Sequence, residues 1–342
     1  MKIKNRRYLK TITPSVHAAT MDFFNGNPVF AFFGGSREGN PDVSIFINNL
    51  KGNDELIQVG DKDMMPRWNP ILFSYEDKLL LFEKSGTFCD RWTTFVHNIT
   101  NWDENISAKE MYSTAQMLPA GLNGPVKNRP LLYKDTLICG SSVETVYDWT
   151  SYMESYSLTN GILSYKERTR PLGVKDKRFY NEPNTGRTLM TKGIIQPTIW
   201  FDNDKSGEAN ALFRSCGHNP YLYYSVGCAD SGYWRDPVPT NIPNPNSGVS
   251  VATVGNRIFL AYNPSEINRI PLCISEIEIV DRKQERVEFK CIDTLLISEK
   301  VDSSFPMNSG ELSYPYLIEN NGKLHLVYTA GRVAIEYVTI EV

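Results

Sequence analysis

Tyr314-Pro315-Tyr316-Leu317-Ile318 leads through a polar turn at Asn321-Gly322 into Leu324-His325-Leu326-Val327-Tyr328. A polar start, a short apolar run, a turn that accepts positive φ and a second apolar run are the marks of a β-hairpin. The same phrase occurs at Asn69-Pro70-Ile71-Leu72-Phe73, with a turn at Glu76-Asp77 before Leu79-Leu80-Leu81-Phe82. Arg129-Pro130-Leu131-Leu132-Tyr133 turns at Lys134-Asp135 into Leu137-Ile138-Cys139. Gln196-Pro197-Thr198-Ile199-Trp200 leads by a longer turn to Ala211-Leu212-Phe213-Arg214. Ser250-Val251-Ala252-Thr253 turns at Gly255-Asn256 into Ile258-Phe259-Leu260. A looser copy runs from His17-Ala18-Ala19-Thr20 through Asn25-Gly26-Asn27 to Val29-Phe30-Ala31-Phe32.

The six starts fall near positions 17, 69, 129, 196, 250 and 314, at intervals of roughly 52 to 67 residues. Each interval has room for two further strands, which makes a four-stranded unit. Candidates are Val43–Ile47, Thr93–Val96, Ser151–Tyr156, Tyr221–Ser225, Leu272–Ser275 and Ile335–Val338. The expected fold is all-β: a six-bladed β-propeller of four-stranded antiparallel blades, one domain over residues 1–342, with an N-terminal strand completing the last blade. A β-sandwich of irregular hairpins is the alternative.

Composition agrees with strands. The chain has 18 Tyr and 16 Phe, which pack well on pleated surfaces. A net charge of −3 gives no field that would attract nucleic acid or an acidic membrane. The six Cys form no Cys-x-x-Cys pair, so buried thiols are expected rather than disulfides. The four His, at 17, 97, 218 and 325, lack metal-ligand spacing, so neither a metal nor a cofactor is expected. No signal peptide and no run of about 18 apolar residues is seen, which suggests a soluble, cytoplasmic protein.

In a hairpin the start of the first strand and the end of the second lie on the same side. Around a propeller these points meet at one mouth. The starts are His17, Asn69, Arg129, Gln196, Ser250 and Tyr314. The ends are Gly34 to Arg37, Glu83-Lys84, Ser141 to Glu144, Arg214, Asn263 to Arg269, and Arg332. Arg37, Arg214, Arg269 and Arg332 therefore stand at equivalent places. A planar guanidinium grips carboxylate or phosphate in a fork, so four of them suit an anion. The loop Gly34-Gly35-Ser36-Arg37-Glu38-Gly39-Asn40-Pro41-Asp42 carries acids but lacks the Lys-Ser/Thr of a phosphate loop. Asp42 heads a strand, where a carboxylic acid can face a ligand. Glu311 lies three residues before Tyr314, and Pro315 is expected to hold Tyr314 extended.

With these residues in view, the chain resembles the sialidase (neuraminidase) superfamily, in the branch known as predicted neuraminidases or BNR-repeat-like proteins. The resemblance rests on His17-Ala18-Ala19-Thr20, Gly34-Gly35 through Glu38 to Pro41-Asp42-Val43, and Trp68-Asn69-Pro70. It rests also on Gly124-Pro125-Val126-Lys127-Asn128, Gly140-Ser141-Ser142-Val143-Glu144, Pro243-Asn244-Pro245-Asn246-Ser247-Gly248 and Ser313-Tyr314-Pro315. It implies a carboxylate grip by Arg214 and Arg269 and an acid/base at Asp42, with Arg37 just upstream. It also implies a nucleophile at Tyr314. His17 stands where the first Arg of the family's triad is usual, and Gln196 where a Glu activates the Tyr. A free Tyr has a pKa near ~10 and needs a base to attack at neutral pH; Glu311 and Glu144 are candidates.

The resemblance implies an exo-α-glycosidase releasing a terminal 2-keto-3-deoxy acid sugar: sialic acid, Kdo or a bacterial nonulosonic acid. Such sugars occur on oligosaccharides, capsules or lipopolysaccharide, and a cytoplasmic chain suits lipopolysaccharide trimming beside a membrane-protein partner. His17, Gln196, Lys127, Asn128, Glu144, Arg37, Arg214, Arg269 and Arg332 are the expected substrate contacts. Asp42, Tyr314 and Glu311 are the expected catalytic residues. Two alternatives stay open: a carbohydrate-binding propeller without hydrolysis, and a uronic-acid lyase using His17 and Tyr314 as acid and base.

Overall fold

The computed structural model describes residues 1–60, 65–145, 148–174, 178–181, 188–191, 193–202, 207–216 and 219–342. The fold is all-β. Each phrase read from the sequence forms its hairpin, because runs such as Val29–Gly35 are buried along their whole length and pair with apolar neighbours on both sides. Strands Ser15–Phe24, Asn27–Gly35, Ser44–Asn48 and Leu56–Val59 form one antiparallel sheet of four. Arg67–Tyr75, Lys78–Ser85, Thr93–Asn98 and Gln116–Met117 form a second. Leu312–Asn320, Lys323–Ala330 and Ala334–Glu341 form a third, whose fourth strand is the N-terminal Lys2–Tyr8.

Of the other described strands, Arg178–Asn181 and Thr188–Thr191 pair in a sheet of two, and 13 lie in one sheet. It contains three antiparallel groups joined at single parallel pairs, Trp149–Gly193 and Thr240–Val287. One group is Leu131–Tyr133, Thr136–Glu144, Trp149–Thr159 and Ile162–Arg168. The second is Gly193–Phe201, Glu208–Cys216 and Tyr221–Cys228 with Tyr233–Trp234 and Val238–Pro243. The third is Ser250–Val254, Arg257–Tyr262, Leu272–Arg282 and Val287–Ser298.

The first strands of successive groups pack on one another. Ser15–Phe24 touches Arg67–Tyr75 and Leu312–Asn320; Ser250–Val254 touches Gly193–Phe201 and Leu312–Asn320. The apolar layer between groups includes Phe30, Phe32, Phe73, Phe82, Tyr156 and Tyr316, all buried. Each such side chain contributes about 1.5–3 kcal/mol on leaving water.

Polar clasps join the groups where apolar packing ends. Arg129 pairs with the buried Asp22, whose Oδ2 also accepts from Ser74 N at 2.7 Å. Arg129 was expected at the mouth by its place in the repeat. It turns instead to Asp22 and stacks over Phe73 at 4.9 Å, lining a separate cavity of about 480 Å³ with Thr198, Ser250 and Glu319.

No disulfide links the six Cys. Among the described residues no three His, Cys, Asp or Glu converge as metal ligands, and no helix is long and apolar enough to cross a membrane. His218 lies outside the described residues.

Candidate active site

Six residues near the starts of the repeated phrases have left-handed backbones: Ala18 (φ 52), Asn69 (φ 38), Lys127 (φ 71), Gln196 (φ 55), Asn246 (φ 55) and Tyr314 (φ 54). None is glycine, so each carries strain of about 1–2 kcal/mol. Four of them sit at bulges, where the pairing with the next strand slips at His17/Thr20, Trp68/Ile71, Ile195/Thr198 and Ser313/Tyr316. A bulge re-aims a side chain that the pleat would otherwise turn aside. Tyr314 thus departs from the extended backbone expected before Pro315; Asn69 and Gln196 do the same before Pro70 and Pro197. The surrounding pairing overrides the local preference of a residue before proline.

Three of these residues meet. Gln196 Nε2 donates to the Tyr314 hydroxyl at 3.0 Å. Arg214 Nη1 donates both to that hydroxyl, at 2.7 Å, and to Gln196 Oε1, at 3.0 Å. Arg214 Nε donates to Asn246 Oδ1 at 2.9 Å. The guanidinium lies 5.2 Å from the Trp149 ring centre and 5.6 Å from that of Tyr314. Because Arg can only donate, the Gln196 atom facing it is the carbonyl oxygen. The amide nitrogen therefore faces the phenol, and Gln196 offers it no acceptor.

Arg214 is buried, yet no carboxylate pairs with it among the described residues. A buried, uncompensated charge is costly unless an anion arrives to share the site. The other two arginines are partly satisfied. Arg269 lies 3.3 Å from Glu311 and donates to Asn246 O at 2.8 Å. Arg332 Nε donates to Glu311 at 2.8 Å, and its Nη1 pairs with Glu38. Glu311 also accepts from Ser313 Oγ at 2.8 Å, so its carboxylate is occupied by the arginines rather than turned to Tyr314.

Lys127 is buried and donates to Asn128 Oδ1 at 3.0 Å, Val249 O at 2.7 Å and Pro315 O. Burial and nearby Arg214 push its pKa well down. Three oxygen acceptors need three N–H bonds, which favours the ammonium. Lys127, expected as a substrate contact, thus ties its own turn to the residue before Ser250–Val254 and to the residue after Tyr314. Asn128 Nδ2 donates to Gln196 O at 2.9 Å. Below them Glu154 accepts from Asn123 N, Gly124 N (2.7 Å), Ser141 Oγ (2.8 Å) and Tyr156 OH (2.6 Å), fixing the turn that delivers Lys127. Gly140 is required here, because a Cβ would lie 2.8 Å from Pro197 O.

His17 packs against Tyr314, with ring centres 4.2 Å apart and planes tilted by 51°, and is buried with no partner for either ring nitrogen. Burial first, then Arg332, Arg269, Arg214 and Lys127, hold its imidazole well below the usual range. Glu144 is half-buried near Arg214; burial pushes its carboxyl up, Arg214 opposes this and Glu38 adds to it. Asp42 accepts from Ser36 N at 2.8 Å and Ser36 Oγ at 2.9 Å, and no hydrogen bond joins it to the Tyr314 cluster. Its loop is tied to that cluster through Glu38 and Arg332. Arg37 is exposed. Ser250 accepts from Leu317 N and lies outside the cluster; Asn246 occupies the place expected for it. Asn246 and Trp149 are the residues missed from the sequence. A short Pro-Asn-Ser-Gly turn upstream of a strand was the available signal for Asn246.

The BNR repeat-like domain model matches residues 26–326. This chain belongs to that family. No curated protein sequence matches it. Among solved structures, it is similar to a protein of unknown function from Dyadobacter fermentans, with a TM-score of 0.67 at 9% identity, covering 100% of this chain and 99% of that one. It is similar also to a Trypanosoma rangeli sialidase bound to the inhibitor DANA, with a TM-score of 0.60 at 10% identity over 96% of this chain. The overlap covers 55% of that sialidase. The NanB sialidase of Streptococcus pneumoniae gives a TM-score of 0.58 at 10% identity, covering 96% of this chain and 69% of that one. These likenesses establish a sialidase-like fold.

Proposed function

We propose that this BNR-family protein binds the terminal residue of an acidic glycan and cleaves it as an exo-α-glycosidase, on one six-bladed propeller. The observation that carries the reading is Arg214, buried without a counter-ion and 2.7 Å from the Tyr314 hydroxyl. A sugar carboxylate supplies the missing charge, with Arg269 beside it. A 2-keto-3-deoxy acid sugar such as sialic acid or Kdo bears that carboxylate on its anomeric carbon. A neutral Tyr nucleophile suits this centre, where a charged carboxylate would be repelled.

In this reading Tyr314 Oη bonds to the anomeric carbon while the glycosidic bond breaks. Asp42 gives its proton to the leaving oxygen, then takes one from the water that releases the sugar from Tyr314. The phenol proton leaves to solvent, because Gln196 only donates to this oxygen. That orientation of Gln196 supports a second reading, a pocket that binds acidic sugars without turnover.

Fluorogenic α-glycosides of sialic acid and Kdo test the two, beside Tyr314→Phe and Asp42→Asn. Release that both substitutions abolish supports hydrolysis. Calorimetric binding without release supports the second reading. Failure to bind either sugar overturns both.

A further inference from the structure

The two unpartnered nitrogens of His17 call for an explanation, since buried polar atoms are almost always satisfied. The ring cannot swing out to find a partner. Tyr314 packs against it at 4.2 Å with a tilt of 51°, Phe33 meets it edge-on at 5.6 Å, and the backbone beside it is pinned by Val16 N donating to Arg332 O at 2.9 Å. A neutral imidazole has one N–H and one lone pair, and here both are idle.

The charged and titratable groups facing the ring are Arg332, Arg269, Arg214 and Lys127, with Tyr314 packed against it. The acids behind them, Glu311 and Glu38, are both engaged by Arg332. These cations are hostile to a fifth positive charge at the ring. An anion bound among the guanidiniums reverses that field, because its charge offsets the cations that keep the imidazole neutral.

We propose that His17 is a conditional cation of the ligand site: it takes up a proton from solvent as an acidic sugar binds and donates that N–H to the sugar's carboxylate. The inference rests on the acidic-sugar reading of the pocket. It assigns to His17 the third positive contact beside Arg214 and Arg269. That contact is present only when the ligand is. The substrate class it implies is a sugar bearing a fully ionised carboxylate, with neutral sugars and carboxyl esters excluded.

The test is calorimetry of the whole protein with free N-acetylneuraminic acid, Kdo and galacturonic acid, in buffers of differing ionisation enthalpy between roughly pH 5.5 and 8, the range over which histidine titrates. The expected result is uptake of close to one proton per sugar at neutral pH, with affinity falling about tenfold per pH unit, as linkage requires. His17→Asn removes the uptake and flattens the dependence; His17→Arg flattens it at high affinity. Should these variants fail to fold, imidazole NMR of the wild type serves, because the chain has only 4 His. Saturating sugar then moves one titration to higher pH. Binding that needs Arg214 but brings no proton uptake, or uptake that survives His17→Asn, overturns the role of His17 and leaves the anion site standing. No binding, or binding indifferent to Arg214→Met, overturns both.

Discussion

Gln196 Nε2 lies 3.0 Å from the Tyr314 hydroxyl and donates to it. Arg214 fixes that orientation by claiming the other end of the amide. Gln196→Glu keeps the shape and replaces the donor by an acceptor for the phenol proton. A positioned base contributes about 10²–10⁴-fold in rate. Release from a fluorogenic Kdo or sialic acid glycoside should therefore rise by ~10²-fold or more. An unchanged rate in a folded variant argues that Tyr314 is not the nucleophile.

Arg214 joins Tyr314, Gln196 and Asn246 in one network. Arg214→Met removes the charge and keeps much of the bulk. Hydrogen bonds to charged groups are worth about 1.5–3 kcal/mol each. Affinity for an acidic sugar should fall at least ~10²-fold, while urea unfolding shows no loss larger than about 2 kcal/mol, since the buried charge goes with it.

Glu154 receives four donors inside the frame. In Glu154→Gln an amide nitrogen faces N–H or O–H groups that had an acceptor. We expect a loss of about 2–4 kcal/mol in urea unfolding, within the range for a broken buried network. The reactivity of the site should fall with it, because the turn carrying Lys127 loosens.

Stability should depend on pH through His17 and His325, both held below the usual histidine range, mainly by burial. An unfolded histidine titrates near ~6.5. Below that pH the unfolded chain binds protons that the folded chain refuses, so stability falls as pH drops and is flat above it. Each such group removes up to about 1.4 kcal/mol per pH unit. Urea midpoints from roughly pH 8 to 5, the histidine window, should show the fall, and His17→Asn should reduce its slope.

Ala18 is left-handed at φ 52 and carries only a methyl group. Ala18→Gly removes the clash of that methyl, at some cost in unfolded-chain entropy. The balance favours the glycine by up to about 1 kcal/mol. A thermal melt of the two proteins decides it; a lower melting temperature in the variant contradicts the strain at this bulge.

The strands were legible because they are apolar along both faces and end in turn residues: Asn321-Gly322 and Gly255-Asn256 mark their hairpins directly. The meeting of His17, Gln196, Arg214 and Tyr314 followed from equal places in a repeat. Three things were not legible. Arg129 shares its place with Gln196, but its partner Asp22 comes from a strand over one hundred residues away in sequence, a separation of 107. Lys127 is held by three carbonyl and amide acceptors, and none of these is encoded near it except Asn128. The bulges are hidden as well, because Pro70, Pro197 and Pro315 argue locally for an extended residue before them, while strand pairing imposes the opposite.

The six left-handed residues hold a methyl, three amides, an ammonium and a phenol: Ala18, Asn69, Asn246, Gln196, Lys127 and Tyr314. Their backbones agree while their side chains share no chemistry. The frame therefore acts as a socket with interchangeable fittings. At Gln196, Asn246 and Tyr314, which meet at Arg214, one substitution changes what the pocket presents while the bulged backbone keeps its form. New chemistry is reachable at those three positions by exchanging side chains singly, while Lys127 stays to tie the frame.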